Sequence, residues 1–331
     1  MHTSDSENGS SAECGVGAPA AERMAPTGGF GDVPSGPLPR RTATAARRSR
    51  MDALVSLLGD DDPRVVDTVR RRIEEAGREA LPALRRSLRD DSSVTRGRAR
   101  TILLDRAKTR AMRRLMSHVT NGRIDLETSL LLLARYHDPS LDTRPWRTKL
   151  DVMSREVRAR AAAIEDPLEK CSVLSSYLGR ELGYGGSNGD FHHPDNIHLT
   201  RVLDKKRGMP LTLSAIYVFV ARRAGLHATC VPLPGHVMVR LHAQGRTRIV
   251  DPYHRGQVRT ERDLKAYLTQ NGLPARPSYF RDGDDATLLK RQIANLTKSA
   301  QTRGLVRERR ELTLLARALE SRTEAAASRR A

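Results

Sequence analysis

RGMPLTLSAIYVFVARRAGL, residues 207–226, reads as a helix that is apolar on nearly every side. A helix of this kind is buried inside a domain rather than lying on its surface. Pro210 suits the first helical position, where the missing N–H costs nothing, and Gly225 suits the end. The sequence therefore predicts a central buried helix that begins at Pro210 and ends before Gly225.

Strand-like segments follow this helix, namely HATCVPL (227–233), VMVRLHA (237–243) and RTRIVDPY (246–253). The first two flank Pro234-Gly235-His236, and a short Ala243-Gln244-Gly245 turn precedes the third. The order helix, strand, strand, strand predicts an α+β core in which the central helix packs on a small antiparallel sheet.

The arrangement of a few residues around these elements resembles the transglutaminase-like (papain-type) superfamily. A glycine precedes the central helix, Gly-Leu ends it, His236 opens the second strand and Asp251-Pro252 closes the third. HPDNIHLTRVLDKKRGMPLTLSAIYVFVARRAGL (193–226), LPGHVMVRL (233–241) and IVDPYHRGQV (249–258) are similar to the bacterial SirB family. The resemblance covers half to two thirds of the chain. It implies an N-terminal helical region and a C-terminal tetratricopeptide-like segment.

The same resemblance implies a Cys–His–Asp mechanism of acyl transfer. The thiol would lie at the start of the central helix, the histidine would act as base and then acid, and the aspartate would orient its ring. His236 matches the histidine and Asp251 the aspartate. Counting back from Gly225, the cysteine position falls on Pro210. This departure from the catalytic pattern leaves open whether the chain is an enzyme.

Another residue could replace the missing thiol. Ser214 lies one turn further along the central helix, about 6 Å from Pro210 along the axis, where His236 could reach it. The alternative is a serine that bonds its own preceding turn. Thr212 is expected to face elsewhere, and Cys171 and Cys230 are expected to be small core residues.

Metal ligands and cofactors are not predicted. His193, Asp195 and His198 lie in a histidine-rich segment, but their spacing does not match a zinc site and no CxxC motif accompanies them. The residues expected to line the cleft, in addition to the His–Asp pair, are Asn196, Pro210 and Gly235.

Four regions are expected along the chain. Residues 1–50, rich in Gly, Ser, Ala and Pro and ending in arginines, are predicted to be disordered. Residues 51–116 resemble HEAT-type helices, with Asp61, Val65 and Ile73 repeated 29 positions later. Residues 117–270 should hold a helical bundle and the core, and residues 271–331 a C-terminal helical hairpin and tail.

Charge and composition suggest the partners. The formal net charge of +19 favours anionic partners such as nucleic acid, although aromatic residues make up only 4% of the chain, so base stacking would be scarce. The sequence has no transmembrane or signal segment, and its three cysteines suit a cytoplasmic location. We expect a regulatory or protein-binding pseudoenzyme whose helical regions contact a protein. The alternatives are a hydrolase or acyltransferase with a non-cysteine nucleophile, and a basic nucleic-acid-associated protein.

Overall fold

The predicted central helix is present and buried. In this computed structural model, which describes residues 40–121, 123–187 and 189–328, the helix runs from Pro210 to Ala224. It ends at Gly225, whose φ of 86° lies in the left-handed region that favours glycine. Every residue from Pro210 to Ala221 is buried, so the core surrounds the helix on all sides.

Helices form most of the described chain. They are α1 (Arg40–Ser56), α2 (Pro63–Ala76), α3 (Leu81–Arg86), α4 (Ser93–Asn121), α5 (Leu126–His137), α6 (Arg144–Ala161), α7 (Pro167–Ser175), α8 (Pro194–Ile197), α9 (Leu199–Lys205), α10 (Pro210–Ala224), α11 (Glu261–Gln270), α12 (Asp285–Thr302) and α13 (Val306–Ser328). A π-helical segment, Ser176–Glu181, extends α7.

The strands form two small sheets. They are β1 (Gly185–Gly186), β2 (Arg207–Gly208), β3 (His227–Val231), β4 (Met238–Ala243), β5 (Arg246–Asp251) and β6 (Gln257–Arg259). Strands β3 to β6 form an antiparallel sheet in sequence order, and β1 pairs with β2 in parallel. The predicted α+β class is therefore confirmed. Sequence reasoning missed β1, β2 and β6, each of which is only two or three residues long.

Two of the hydrophobic clusters are joined by helix α4. The larger cluster surrounds α10, and its buried members include Leu115, Leu130, Leu150, Leu213, Val239, Leu289 and Leu312. The second lies in the N-terminal helices and includes Val55, Leu58, Ile73, Leu84 and Ala99. Because α4 contributes Ala99 to one cluster and Leu115 to the other, it connects the N-terminal helices to the core.

The N-terminal helices repeat a local pattern. A 3₁₀ turn at Leu57–Gly59 precedes α2, and another at Ser87–Arg89 precedes α4. After each turn an aspartate, Asp60 or Asp90, accepts a hydrogen bond from the N–H two residues later. These starts are 30 residues apart (87 − 57), whereas the sequence pattern suggested 29. Val94, predicted to be equivalent to Val65, is 44% exposed. The assignment to HEAT-type repeats stays a prediction.

The boundaries predicted at the two ends need adjustment. Contacts divide the chain into Met1–Ser49 and Arg50–Ala331. Most of the predicted disordered segment, residues 1–39, lies outside the described residues. The disorder prediction is wrong for residues 40–50, which are helical in α1 because alanine and arginine favour helix. At the other end, α12 and α13 form the expected hairpin, separated near Gly304.

No membrane span was predicted from the sequence. Within the described ranges, every helix is too short or too polar to cross a bilayer.

Candidate functional site

His236 and Asp251 are brought together by the pairing of β4 with β5. Val239 lies opposite Val250, so continuing this register places Met238 opposite Asp251. His236, two residues before Met238, is then a diagonal neighbour on the same face. Nε2 of His236 lies 3.0 Å from Oδ1 of Asp251, and both residues are buried. The structure thus places the predicted His–Asp pair in direct contact.

Asp251 is the most heavily hydrogen-bonded group of the site. Besides His236, Oδ1 accepts the backbone N–H groups of Tyr253 at 3.1 Å and His254 at 3.4 Å. Oδ2 accepts from Nδ1 of His254 at 2.7 Å. Burial acts to raise the pKa of Asp251, but the bonds from His236 and His254 outweigh it and hold the pKa at about 2. The carboxylate is therefore ionised at neutral pH.

This ionised carboxylate determines the tautomer of His236. A carboxylate without a proton can only accept hydrogen bonds, so Nε2 of His236 carries the hydrogen. In the neutral ring, Nδ1 then has a free lone pair. Nδ1 makes no hydrogen bond within the described part of the chain. This is the orientation in which a histidine can take a proton from a group at the start of a neighbouring helix.

Aromatic rings surround the imidazole of His236. The ring centroids of Tyr267, Tyr253 and His254 lie 5.6, 5.8 and 6.3 Å from it. Tyr253 is held in place by its hydroxyl, which donates to the carbonyl of Ser187 at 3.1 Å. His254 is about half exposed, and it is therefore the member of this group that a ligand can reach from solvent.

The backbone before β4 is fixed from two sides. Gly235 has a φ of 74°, and the Cβ of any other residue there would lie 2.9 Å from the hydroxyl of Tyr267. Arg291 of α12 donates to the carbonyls of Leu233 at 2.8 Å and His236 at 3.3 Å. The C-terminal hairpin therefore takes part in positioning the site, although the sequence suggested a separate region beginning at residue 271.

Pro210 lies at the start of α10, as the resemblance implied for the nucleophile. One turn later, the Ser214 hydroxyl donates to the carbonyl of Val237, the residue after His236, at 2.9 Å. Because residues four apart share a face of a helix, Pro210 lies on the face of α10 that approaches His236. Ser214 is fully buried, and its proton is engaged by a backbone carbonyl rather than by the imidazole. This geometry does not favour Ser214 as a nucleophile.

The cysteines of the described chain lie elsewhere. Cys230 in β3 and Cys171 in α7 are both buried. Burial raises the pKa of Cys230 to about 12 and also raises that of Cys171, so neither forms a thiolate readily. Cys14 lies outside the described residues.

Asn196 and Thr212 anchor the segment that leads into α10. The side-chain amide of Asn196 donates to the backbone carbonyl of Asp190 at 2.7 Å. The backbone carbonyl of Asn196 accepts from the backbone N–H of Met209 at 2.9 Å. Thr212 donates to the carbonyl of Ile197 at 2.8 Å, and the buried Gln292 of α12 donates to the same carbonyl at 2.6 Å. These bonds make Asn196 a positioning residue whose amide bonds the backbone.

One group of residues has the composition of a metal site. Ligand atoms of His236, Asp251 and His254 lie within 4.8 Å of one another, and two imidazoles with a carboxylate suit zinc or iron. Arg259, whose Nε lies 3.6 Å from Oδ2 of Asp251, opposes a cation there. The other histidine cluster does not converge, because His198 is buried and stacked on His137 with centroids 4.3 Å apart.

Comparison with known proteins agrees with this geometry. Residues 144–294 match the family model described as the transglutaminase-like superfamily. This matched range is slightly less than half of the chain, and its residues are similar to the transglutaminase-like superfamily. A UPF0162 protein of Xylella fastidiosa is 29% identical over 150 residues, which are 45% of this chain and 53% of that protein. SirB1 of Salmonella typhimurium is 26% identical over 177 residues, 52% of this chain and 62% of that protein.

These relatives agree with the resemblance of the sequence to the SirB family. UPF0162 protein YchA of Escherichia coli is 26% identical over 149 residues, 45% of this chain and 54% of its own. The chain therefore spans little more than half the length of the first curated relatives. No solved structure matches significantly. The matched range includes the start of α12, in agreement with the contacts of Arg291 and Gln292.

Sequence reasoning did not assign the residues that support the His–Asp pair. These are Tyr253, His254, Arg259, Tyr267, Arg291 and Gln292. His254 had a detectable signal, because a histidine three residues after Asp251 can return to its carboxylate through a single turn. Tyr267, Arg291 and Gln292 come from later helices, and no local spacing in the sequence indicates their contacts.

Proposed function

We propose that the transglutaminase-like domain of this chain binds a ligand without acyl transfer, as a regulatory or protein-binding module. The observation that carries the proposal is Pro210 at the start of α10, where the superfamily pattern has its thiol. A proline side chain has neither an ionisable group nor a lone pair with which to attack a carbonyl. The free Nδ1 of His236 therefore has no nucleophile to activate at this position.

Retention of the His–Asp pair is consistent with a role without catalysis. Asp251 joins His236 to the turn after β5 and to His254, so its loss would leave several buried donors without an acceptor. Such a pair is maintained by its contribution to stability. It also presents His254 beside two tyrosines, a set of hydrogen-bonding and aromatic groups suited to a peptide ligand.

The rival proposal, a hydrolase or acyltransferase that uses Ser214, has less support. The Ser214 hydroxyl is fully buried and already donates to Val237. A substrate carbonyl would have to displace that bond and enter the core. A nucleophile supplied by the substrate would avoid this problem, and it would still require His236 as base.

Turnover assays test the absence of acyl transfer. The purified chain would be incubated with a glutamine-containing peptide and a fluorescent primary amine, and separately with the peptide alone to detect deamidation. We expect no product above background, and the same result for His236→Ala and Ser214→Ala. Product that disappears in His236→Ala would overturn the proposal, and product that also disappears in Ser214→Ala would support the serine mechanism.

Binding is measured with the same labelled peptide by fluorescence anisotropy. We expect saturable binding that His254→Ala weakens about tenfold, equivalent to about 1.4 kcal/mol. His118→Ala, which changes a histidine at the end of α4, serves as the matched control and should leave the affinity unchanged. Equal affinity in His254→Ala and the wild-type chain would remove this site as the binding surface.

A further inference from the structure

Helices α2, α3, α4, α5 and α13 border a surface groove lined by arginines. It consists of a depression of about 1140 Å³ and a neighbouring one of about 200 Å³, which share Leu81, Arg106, Arg110 and Arg114. We call this the arginine groove, and its arginines are Arg70, Arg78, Arg85, Arg106, Arg110, Arg113, Arg114, Arg135 and Arg307. None of the residues of the His236–Asp251 site lines it.

The arginine groove is poor in compensating charge. Its acidic lining residues are Glu74 and Asp105, and Asp105 faces Arg307 at 3.7 Å. Apart from Arg307, none of the groove arginines lies within 4.0 Å of an acidic group in the described chain. Arginines elsewhere are commonly paired, for example Arg223 with Glu127 at 2.6 Å and Arg248 with Glu169 at 3.1 Å.

The positions of these arginines follow from helical periodicity. Arg106, Arg110 and Arg114 are four residues apart in α4, so they lie on one face at intervals of about 6 Å along the axis. Arg113 lies beside this row. Arg70 comes from α2, Arg85 from α3, and Arg78 from the 3₁₀ turn between them. Like charges on one helix face destabilise it slightly, and such a row is costly unless an anion neutralises it.

Two guanidinium groups in the groove also have unsatisfied hydrogen-bond donors. Nη1 of Arg106 and Nε of Arg70 are buried and lack a hydrogen-bond partner. The other terminal nitrogen of Arg106 makes only a long bond of 3.4 Å to the carbonyl of Ile73. Buried donors normally find an acceptor, so these two arginines are incompletely satisfied by the described chain.

We propose that the arginine groove binds the phosphate backbone of a nucleic acid, independently of base sequence. Guanidinium groups match the two oxygens of a phosphate, and a row of them follows successive phosphates. No aromatic residue lines the groove, so base stacking cannot contribute. The same lack of aromatic anchors disfavours an acidic protein, because interfaces between proteins depend on such residues.

Salt-dependent binding of an oligonucleotide tests this proposal. The full chain would be titrated into a fluorescein-labelled single-stranded DNA of arbitrary sequence, and the affinity measured by anisotropy between about 50 and 200 mM salt. If the groove contacts six or more phosphates of the single strand, the affinity should fall by at least about 300-fold over this range. A second oligonucleotide of different sequence should bind equally well.

Matched triple variants distinguish the groove from diffuse charge. R110Q/R113Q/R114Q removes three exposed groove arginines, and R276Q/R281Q/R303Q removes three exposed arginines that do not line it. We expect the first to weaken binding at least tenfold and to reduce the slope of log K against log salt by about 2, since each phosphate contact contributes about 0.7. The second should bind within about twofold of the wild type.

Three results would overturn the proposal. They are absence of binding at about 50 mM salt, equal weakening by both triple variants, and tighter binding to polyglutamate than to the oligonucleotide. The last would assign the groove to an acidic protein partner.

Discussion

The His236–Asp251 site and the arginine groove differ in whether their charged groups have partners within the chain. In the site, one buried carboxylate accepts hydrogen bonds from two imidazoles and two backbone N–H groups. In the groove, eight of the nine arginines face no carboxylate within ion-pair distance in the described chain. The first arrangement is complete within the chain, whereas the second needs an external anion.

This difference separates residues that stabilise the fold from residues available for a ligand. A buried charge whose partners are all internal contributes to the free energy of unfolding, so changing it destabilises the protein. An exposed charge among like charges contributes little or is unfavourable. Mutations of the buried groups of the site should therefore affect stability, whereas mutations of the groove arginines should affect the affinity for an anion.

The largest expected effect is the loss of stability in Asp251→Asn. The folded pKa of about 2 lies below the ordinary value of 3.8, so ionised Asp251 stabilises the fold by about 2 kcal/mol at neutral pH. We expect Asp251→Asn to lower the free energy of unfolding by about this amount in denaturant titrations at pH 7. A variant as stable as the wild type would remove the contrast between the two regions.

The pH dependence of the same variant sharpens this test. Because the pKa is depressed on folding, the stabilisation is complete above pH 3.8 and is lost as the pH falls towards 2. The difference in unfolding free energy between wild type and Asp251→Asn should therefore fall as the pH is lowered from about 5, and should be about half as large near pH 3. A difference that grows on acidification would contradict the assignment.

A smaller effect should separate two glycines that both have a positive φ. Gly235 of the site and Gly77 of the groove both have positive φ, 74° and 57°, so the backbone strain of alanine should cost about 1–3 kcal/mol at each. At Gly235 the new Cβ would also lie 2.9 Å from the Tyr267 hydroxyl, whereas nothing lies within 4 Å at Gly77. Thermal unfolding should show Gly235→Ala to be the less stable variant. Adding Tyr267→Phe should remove the extra destabilisation of Gly235→Ala relative to Gly77→Ala. If the extra destabilisation persists, its cause is not the contact with the Tyr267 hydroxyl.

The smallest expected effect concerns a single groove arginine. Arg113→Gln should change the free energy of unfolding by less than about 0.5 kcal/mol, because Arg113 is exposed and has no acidic partner. At low salt, Arg113→Gln should slightly raise the free energy of unfolding, because repulsion between like charges is least screened there. Arg248→Gln is the comparison, since it removes an ion pair with Glu169 and a bond to the Leu168 carbonyl. Equal destabilisation by both variants would show that the groove arginines contribute to the fold.

The sequence predicted those parts of the molecule whose contacts are local or follow a regular period. The apolar run from Pro210 to Ala224 was sufficient to identify the central helix, and two short turns were sufficient to pair His236 with Asp251. The parallel pair β1–β2 has no periodic signal in two residues. The groove could not be predicted, because its arginines come from separate helices and are interspersed with acids along the chain.

The central claim is that His236 faces residue 210 at the start of a helix without a nucleophile. The direct test is the rate of alkylation of Pro210→Cys by iodoacetamide as a function of pH, with and without His236→Ala. We predict a thiol with a pKa well below the ordinary value of about 8.5, restored towards that value by His236→Ala, because imidazolium and the helix start stabilise a thiolate. An ordinary pH profile that His236→Ala leaves unchanged would contradict the account.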